Sequence, residues 1–285
     1  MKTKYIKSIS STGLHKIAYR EWGDNNNPNV LICSHGLTRN KHDFDMIANS
    51  LATDYRVLSY DFAGRGESDW LDNKLDYDYQ QYTVDALMLI AVSGAEHVDW
   101  LGTSMGGIQG LILAAMKGSP IRKLILNDVG PFIPKEALAL IADYVGKQEA
   151  FNNLQELEQY LRLTHAGFGE LSDAQWQQLA LHGHRKLDNG KVILPYDPDI
   201  TQAFKANAGN DVDLWPLWQA IHQKTLLIHG ENSTLLDKAT ADKMTTTGPC
   251  ADLLTIPNTG HAPALMNEHD ILKIKQWLKE ERFLW

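Results

Sequence analysis

Val98-Asp99-Trp100-Leu101-Gly102-Thr103-Ser104-Met105-Gly106-Gly107 runs from an apolar stretch into a serine set among small residues, and small and apolar positions continue to Ala115. Gly102 to Gly106 fits the pattern G-x-S-x-G, and its setting between a buried strand and a helix is that of a nucleophile elbow. A serine on so sharp a turn is held in a strained backbone conformation, and glycines at 102 and 106 let the chain close. The hydroxyl then stands clear of the sheet, with the Met105 N–H aimed at the carbonyl it would attack. A bare glycine-rich turn can produce the same five letters, but the strand before it and the helical pattern after it argue otherwise.

Working outward, short apolar runs that read as buried parallel strands recur at Val30 to Ser34, Arg56 to Tyr60, Val98 to Leu101, Lys123 to Asn127, Thr225 to His229 and Asp252 to Ile256. Helical patterns at Phe44 to Ala52, Tyr79 to Ser93, Gly107 to Met116, Lys238 to Thr245 and Ile271 to Arg282 separate or follow them. The alternation predicts an α/β fold, a mostly parallel central sheet with helices on both faces. Residues 3–22 read as an opening antiparallel hairpin turning near Gly13. From Pro131 to about Trp215 the strand signal vanishes, and helix-like stretches stand at Lys135 to Val145, Phe151 to Leu163 and Asp173 to His184. The expected organisation is therefore a core of residues 1–130 and 216–285 with a helical lid, residues 131–215, inserted between its halves. The loop Asp72 to Asp78 is acidic and reads as solvated surface.

Composition narrows the function classes. A chain of 285 residues, 44% hydrophobic and 22% charged, can bury a substantial core. Its formal net charge of -8 and pI near 5.7 oppose a nucleic-acid partner, which needs a basic face against phosphates. The basic start Met1 to Lys7 is not followed by an apolar core, and the longest apolar run, Ala86 to Val92, is too short to span a bilayer, so no membrane partner and a cytoplasmic location are expected. Cys33 and Cys250 suggest free thiols, with neither a disulfide framework nor a metal site.

A serine hydroxyl needs a base to take its proton and donors to hold the developing oxyanion. Of the eleven histidines, His261 alone follows the last strand in a loop, Pro257-Asn258-Thr259-Gly260-His261-Ala262-Pro263, that α/β topology brings to the carboxyl edge of the sheet. The others have ordinary readings: His229 ends a core strand, His97 precedes one, and His182 and His184 fall in the inserted segment. In Ser34-His35-Gly36-Leu37, Gly36 permits a turn that presents the Leu37 N–H as a second oxyanion donor, while His35 braces the loop.

The chain resembles bacterial serine esterases of the α/β-hydrolase family along nearly its whole length. The resemblance rests on Ser34 to Asn40, on Asp61-Phe62-Ala63-Gly64-Arg65-Gly66-Glu67-Ser68, on Trp100 to Gly107, on Leu126 to Pro131, and on Gly260-His261-Ala262-Pro263. It implies Ser104 as nucleophile, His261 as base, the Leu37 and Met105 amides as oxyanion hole, and no cofactor. It also implies that Asp61 and Ser68 belong to a structural turn beside the site. One position departs from the pattern. Where such relatives commonly carry the triad acid, in Gly230-Glu231-Asn232-Ser233-Thr234-Leu235-Leu236, this chain has Thr234.

A threonine can accept the histidine N–H but cannot offset the imidazolium charge; in serine proteases the aspartate-to-asparagine change lowers turnover about 10⁴-fold. Parallel neighbours lie roughly 4.8 Å apart with their carboxyl ends on one edge, so Asp128, ending the strand before the insertion, is the favoured acid. An aspartate bracing the Val129-Gly130-Pro131 turn is the competing reading, and Asp237 and Glu231 are the other carboxylates in reach.

The expected activity is hydrolysis of small carboxylic esters through an acyl-enzyme, with a small-molecule ester as partner. A C–C bond hydrolase or lactonase would use the same residues, and a non-catalytic binding protein on a hydrolase scaffold is the reading that Thr234 motivates. Haloalkane dehalogenases and epoxide hydrolases need an aspartate where Ser104 stands. Tyr144, Phe151, Tyr160, Phe168, Trp176, Tyr196, Trp215 and Trp218 are candidates for an apolar pocket or for the insertion's own packing, and the stripe Leu154, Leu157, Leu161 for helix packing.

Overall fold

The computed structural model describes residues 2–147, 149–202 and 209–280. Eight strands form the central sheet: β1 (Lys4–Ser10), β2 (Gly13–Trp22), β3 (Val30–Ser34), β4 (Arg56–Tyr60), β5 (Val98–Thr103), β6 (Ile121–Asn127), β7 (Lys224–Gly230) and β8 (Asp252–Ile256), in the order β1-β2-β4-β3-β5-β6-β7-β8. The hairpin β1–β2 and the β2–β4 pair are antiparallel, and every other pairing in the sheet is parallel.

Alternation along the strands divides their side chains between two cores, as the two-residue period of a pleated strand requires. Val30 and Ile32, Trp100, and Leu124 and Leu126 pack on one face, beneath α2 (Tyr79–Ser93) and α3 (Met105–Ala115). Leu31 and Cys33, Leu101, and Ile125 pack on the other, with α1 (Asp45–Leu51) and the C-terminal helix Glu268–Lys279. Both thiols are free, Cys33 buried and Cys250 exposed.

The register of the parallel strands positions the site. Thr103 pairs with Asn127, and Asn127 with Ile228, so Ser104 and Asp128 leave the carboxyl edge of adjacent strands at one level, beside His229 near the end of β7. Asp128 N–H donates to Ile228 C=O at 2.8 Å, extending that ladder by one rung beyond β6.

Between β6 and β7 lie the helices α4 (Lys135–Tyr144), α5 (Leu154–Thr164) and α6 (Asp173–His182) and, just before β7, the short helix Trp215–Ala220. Asn153 caps α5 and a Ser172–Gln175 capping box opens α6, which sets their starts. The leucine stripe is packing: Leu157 and Leu161 are buried with Trp176 and Leu179. The expectation that strands vanish here needs correction. Phe132–Ile133 pairs with Val212–Asp213, and Arg185–Lys186 with Val192–Ile193, two-residue ladders too short to leave a periodic signature.

Three further expectations shift. The helix after the elbow starts at Met105 instead of Gly107, because the turn is a single residue, Ser104, with φ 51° and ψ -113°. The last helix begins at Glu268 under an Asn267 cap, and residues 281 and 282 of its expected span lie outside the described residues. The loop Asp72 to Asp78 is more than solvated surface: Tyr77 is buried, and its hydroxyl donates to Asp197 Oδ2 at 2.7 Å while accepting the Leu71 N–H at 2.9 Å. Among the described residues no helix is long and apolar enough to cross a membrane.

Candidate active site

Ser104 sits between the last residue of β5 and the first of α3, in a backbone region that only an over-determined turn sustains for a non-glycine residue. Sterics supply that determination. A Cβ on Gly102 would lie 2.1 Å from Gly106 O, and one on Gly106 would lie 2.1 Å from Ser34 O, so neither position tolerates a side chain. The Trp100 indole N–H donates to Gly106 C=O at 3.0 Å, and Ser104 N–H donates to Asn127 C=O at 3.0 Å, tying the elbow to β5 and β6.

His261 reaches the elbow from the loop after β8. Asn232 N–H donates to Thr259 C=O and Gly260 N–H to Gly167 C=O, both at 2.8 Å, and the Asn127 amide donates to Pro263 C=O at 2.8 Å. Its Nε2 lies 2.9 Å from Ser104 Oγ, and its Nδ1 lies 2.7 Å from Asp128 Oδ2. The carboxylate can only accept, so Nδ1 carries the proton and Nε2 is left as the acceptor for the serine hydroxyl.

Asp128 is fully buried. Besides His261 it accepts Gly230 N–H on Oδ1 at 2.8 Å and Ser233 O–H on Oδ2 at 2.6 Å, so three donors compensate a charge that burial would otherwise penalise. The other carboxylates are engaged elsewhere. Asp237 caps the helix Lys238–Met244 through Thr240 N–H, and Glu231 accepts Asn258 N–H at 3.0 Å. Thr234 lines the adjoining cavity. Ser233, which sequence reading passed over, becomes visible only once β6 and β7 are neighbours.

Met105 N–H opens α3, and Leu37 N–H lies in the turn after β3; among the described residues neither amide donates to a protein acceptor. The Gly36–Leu37 peptide is fixed by its carbonyl, which accepts His35 Nδ1–H at 2.7 Å and Arg39 N–H at 3.1 Å. In a trans peptide the N–H points opposite to the C=O, so these two bonds turn Leu37 N–H the other way. His35 also accepts Phe62 N–H on Nε2 at 3.1 Å and is wholly buried, which pushes its pKa down to about 3 and keeps it neutral. It is the brace that the sequence suggested. Asp61 likewise serves a structural turn: its carboxylate, buried, accepts Lys41 N–H, Lys41 Nζ–H and Glu67 N–H, and Ser68 O–H donates to its carbonyl.

Ser104 and His261 open into a cavity of about 640 Å³. Leu37, Leu235 and Met266 line it from the core, and Ile141, Tyr160, His165, Phe168 and Tyr196 from the inserted segment. Three of the expected aromatics therefore line it. Phe151, Trp176 and Trp218 pack within cores, Trp215 lies under Lys243 Nζ, and the side chain of Tyr144 lies outside the described residues. Polar groups break the apolar lining. Arg39 is bonded in fork geometry to Asp43, and His165 has its pKa pushed down to about 3 by burial and then by the Arg39 charge.

One cluster outside this cavity has metal-ligating residue types. His42, Asp45 and His182 bring ligand atoms within 4.8 Å of one another. Arg20 Nη1 already occupies that space, 2.6 Å from Asp45 Oδ2 and 2.8 Å from His42 Nδ1, and the two imidazoles stack 4.2 Å apart at 9°, so their in-plane lone pairs run parallel instead of converging.

Comparison with known proteins bears on the fold and the family. The model of the alpha/beta hydrolase fold matches residues 29–267. The chain is 40% identical over 275 residues to the 3-hydroxybutyrate-oligomer hydrolase of Cupriavidus necator, spanning 94% of each protein. A crystal structure of a Rickettsia typhi protein superposes with a TM-score of 0.92 at 38% identity, covering 99% of this chain and 100% of that one. An alpha/beta hydrolase from Novosphingobium aromaticivorans superposes with a TM-score of 0.86 at 35% identity over 98% of each chain. With its strand order, its elbow between β5 and α3, and a sequence match across most of its length, this chain belongs to the α/β-hydrolase fold family.

Proposed function

We propose that the protein is a serine esterase acting through an acyl-enzyme, with linear oligoesters of short hydroxy acids such as 3-hydroxybutyrate as its substrate class. The observation that carries the chemistry is the continuous relay from Ser104 Oγ to His261 Nε2 at 2.9 Å and from His261 Nδ1 to Asp128 Oδ2 at 2.7 Å. Ser104 Oγ attacks the ester carbonyl as His261 Nε2 takes its proton, and Asp128 stabilises the imidazolium. Leu37 and Met105 N–H hold the oxyanion. The intermediate collapses, the C–O bond to the alcohol breaks, and His261 returns the proton to the departing oxygen. Water then repeats the sequence on the acyl carbonyl, with His261 as base, and frees the acid and Ser104.

The oligoester assignment is supported by the name of the Cupriavidus necator relative at 40% identity. The cavity supports it too: its volume lies within the roughly 300–1,000 Å³ usual for small-molecule sites, and apolar walls interrupted by Arg39 and Tyr160 suit a chain that alternates methyl groups with ester carbonyls. The inserted segment acts as its lid, since Ile141, Tyr160, His165, Phe168 and Tyr196 line the cavity from it. The test is hydrolysis of p-nitrophenyl butyrate and of the linear 3-hydroxybutyrate dimer by the parent and by Ser104→Ala. Turnover of both should fall by at least about 10⁴-fold in the variant. Retained activity would refute the serine mechanism, and cleavage of the nitrophenyl ester alone would refute the oligoester assignment.

A further inference from the structure

Arg65 is wholly buried, and among the described residues no carboxylate pairs with it. Its donors go instead to Leu37 C=O from Nε at 3.0 Å, to Ala63 C=O and the Tyr82 hydroxyl from Nη1 at 2.8 and 2.6 Å, and to Met105 Sδ from Nη2 at 3.7 Å. The rings of Phe62, Tyr77 and Tyr82 surround the guanidinium, with centroids 5.9, 5.8 and 5.1 Å from its carbon. Dipoles and ring faces thus substitute for an anion around a charge taken out of water, which is an expensive way to fill a core.

The contacts indicate what the cation does. Two of its four partners, Leu37 and Met105, are the residues whose amides the proposed mechanism assigns to the oxyanion, and they belong to separate elements, the turn after β3 and the start of α3. Arg65 itself stands between Gly64 and Gly66, both at positive φ, and side chains there would strike the Tyr77 ring and the Asp61 carboxylate. That compact turn drives the side chain inward. His35 and Arg39 fix the peptide ahead of Leu37, and Arg65 fixes the carbonyl behind it, so the Leu37 N–H is clamped from both sides.

We infer that Arg65 is a positioning residue for the oxyanion site, holding the Leu37 and Met105 amides in one constellation and placing an uncompensated positive charge behind them. The fork matters because one planar group must reach a carbonyl and a sulfur on separate elements at once. The charge matters because its attraction for the reacting centre grows as a negative oxygen forms there. The inference rests on Ser104 being the nucleophile.

The test compares the parent with Arg65→Met and Arg65→Lys, with Ser104 first titrated by a fluorophosphonate so that rates are expressed per competent site. The kcat per titrated site should fall about 10²-fold in Arg65→Met, the scale for losing one oxyanion donor, with KM within about threefold. Arg65→Lys, which keeps the charge and loses the fork, should recover part of the loss. Inhibition by phenylboronic acid, which forms a tetrahedral anionic adduct on serine, should weaken by the same factor as kcat. If Arg65→Met yields too little folded protein, the Lys variant and its boronate inhibition decide alone. A reduced titratable fraction with parental kcat per site in the surviving variants would overturn the inference and leave the esterase reading standing. A parent whose Ser104 does not react with the fluorophosphonate would overturn both.

Discussion

Asp128 Oδ2 lies 2.7 Å from His261 Nδ1 across 133 residues of sequence, and it does so from the end of β6 instead of the strand that follows the insertion. Because β6 and β7 are parallel neighbours, an acid at either carboxyl end faces the same histidine loop. Asp128 has φ 56°, a backbone state that aspartate visits more readily than most residues, and its carboxylate meets Gly230 N–H of β7 directly. Gly230 also lets the histidine loop pack against β7: a Cβ there would meet Gly260 O at 2.3 Å. The two strands share one acid site, occupied from the earlier of them, and Thr234 is left to line the cavity.

Replacing Asp128 by asparagine should lower kcat for p-nitrophenyl butyrate by at least about 10²-fold while moving KM little, because an amide can present its NH₂ to His261 and stabilise the tautomer that cannot accept the Ser104 proton. Glu231→Gln and Asp237→Asn should stay within about twofold of the parent in kcat, since each acts on a backbone N–H away from the imidazole. A parental rate for Asp128→Asn would remove Asp128 from the mechanism.

The parts of this site that could be read from the chain are those whose physics is local. Gly102 and Gly106 encode the elbow because the steric limits on a strand-to-helix turn fall within five residues, and His261 is legible because a loop after a last parallel strand must return to the carboxyl edge. The role of Asp128 was legible only as a matter of strand adjacency, with Asp237 and Glu231 open until the contacts decided among them. Ser233, Arg65 and Asp197 were not legible as partners of Asp128, Leu37 and Tyr77. Nothing in a run of letters states which carbonyl or carboxylate a hydroxyl or guanidinium will meet once strands pair in an order different from their sequence. The two-residue ladders of the inserted segment were hidden for a related reason, since they span a single period of strand alternation and repeat nothing.

Tyr77 and Asp197 join the glycine-rich turn to the inserted segment. Asp197 Oδ2 accepts the Tyr77 hydroxyl at 2.7 Å and Lys74 Nζ at 2.6 Å, and Asp197 N–H donates to Gly64 C=O at 2.8 Å. Leu194 and Tyr196, immediately before it, line the cavity. Tyr77→Phe deletes the hydroxyl, leaves the buried Leu71 N–H without its acceptor, and should cost about 1–3 kcal/mol in urea unfolding. Because Ser104, His261 and Asp128 are untouched, KM should rise about three- to tenfold with kcat close to parental. A stability loss with no change in KM would mean that this clasp does not shape the cavity.

The buried neutral histidine behind the Leu37 turn makes stability depend on pH in a definite direction. Folded His35 has its pKa pushed to about 3, chiefly by burial, whereas in the unfolded chain it titrates near 6.5. Between those values the unfolded state binds a proton that the folded state refuses, so stability from this residue is complete above about 6.5 and is lost as pH falls toward 3. The slope is up to about 1.4 kcal/mol per pH unit, or about 2 kcal/mol between pH 7.5 and pH 5. His35→Gln keeps one donor for Gly36 C=O and one acceptor for Phe62 N–H but cannot titrate. It should be less stable than the parent at pH 7.5, and its stability should fall less steeply with acid by about that amount. Urea unfolding at pH 7.5, 6 and 5 measures both slopes. Equal slopes would show that a proton reaches His35 in the folded state, and that the brace behind the turn is open to solvent.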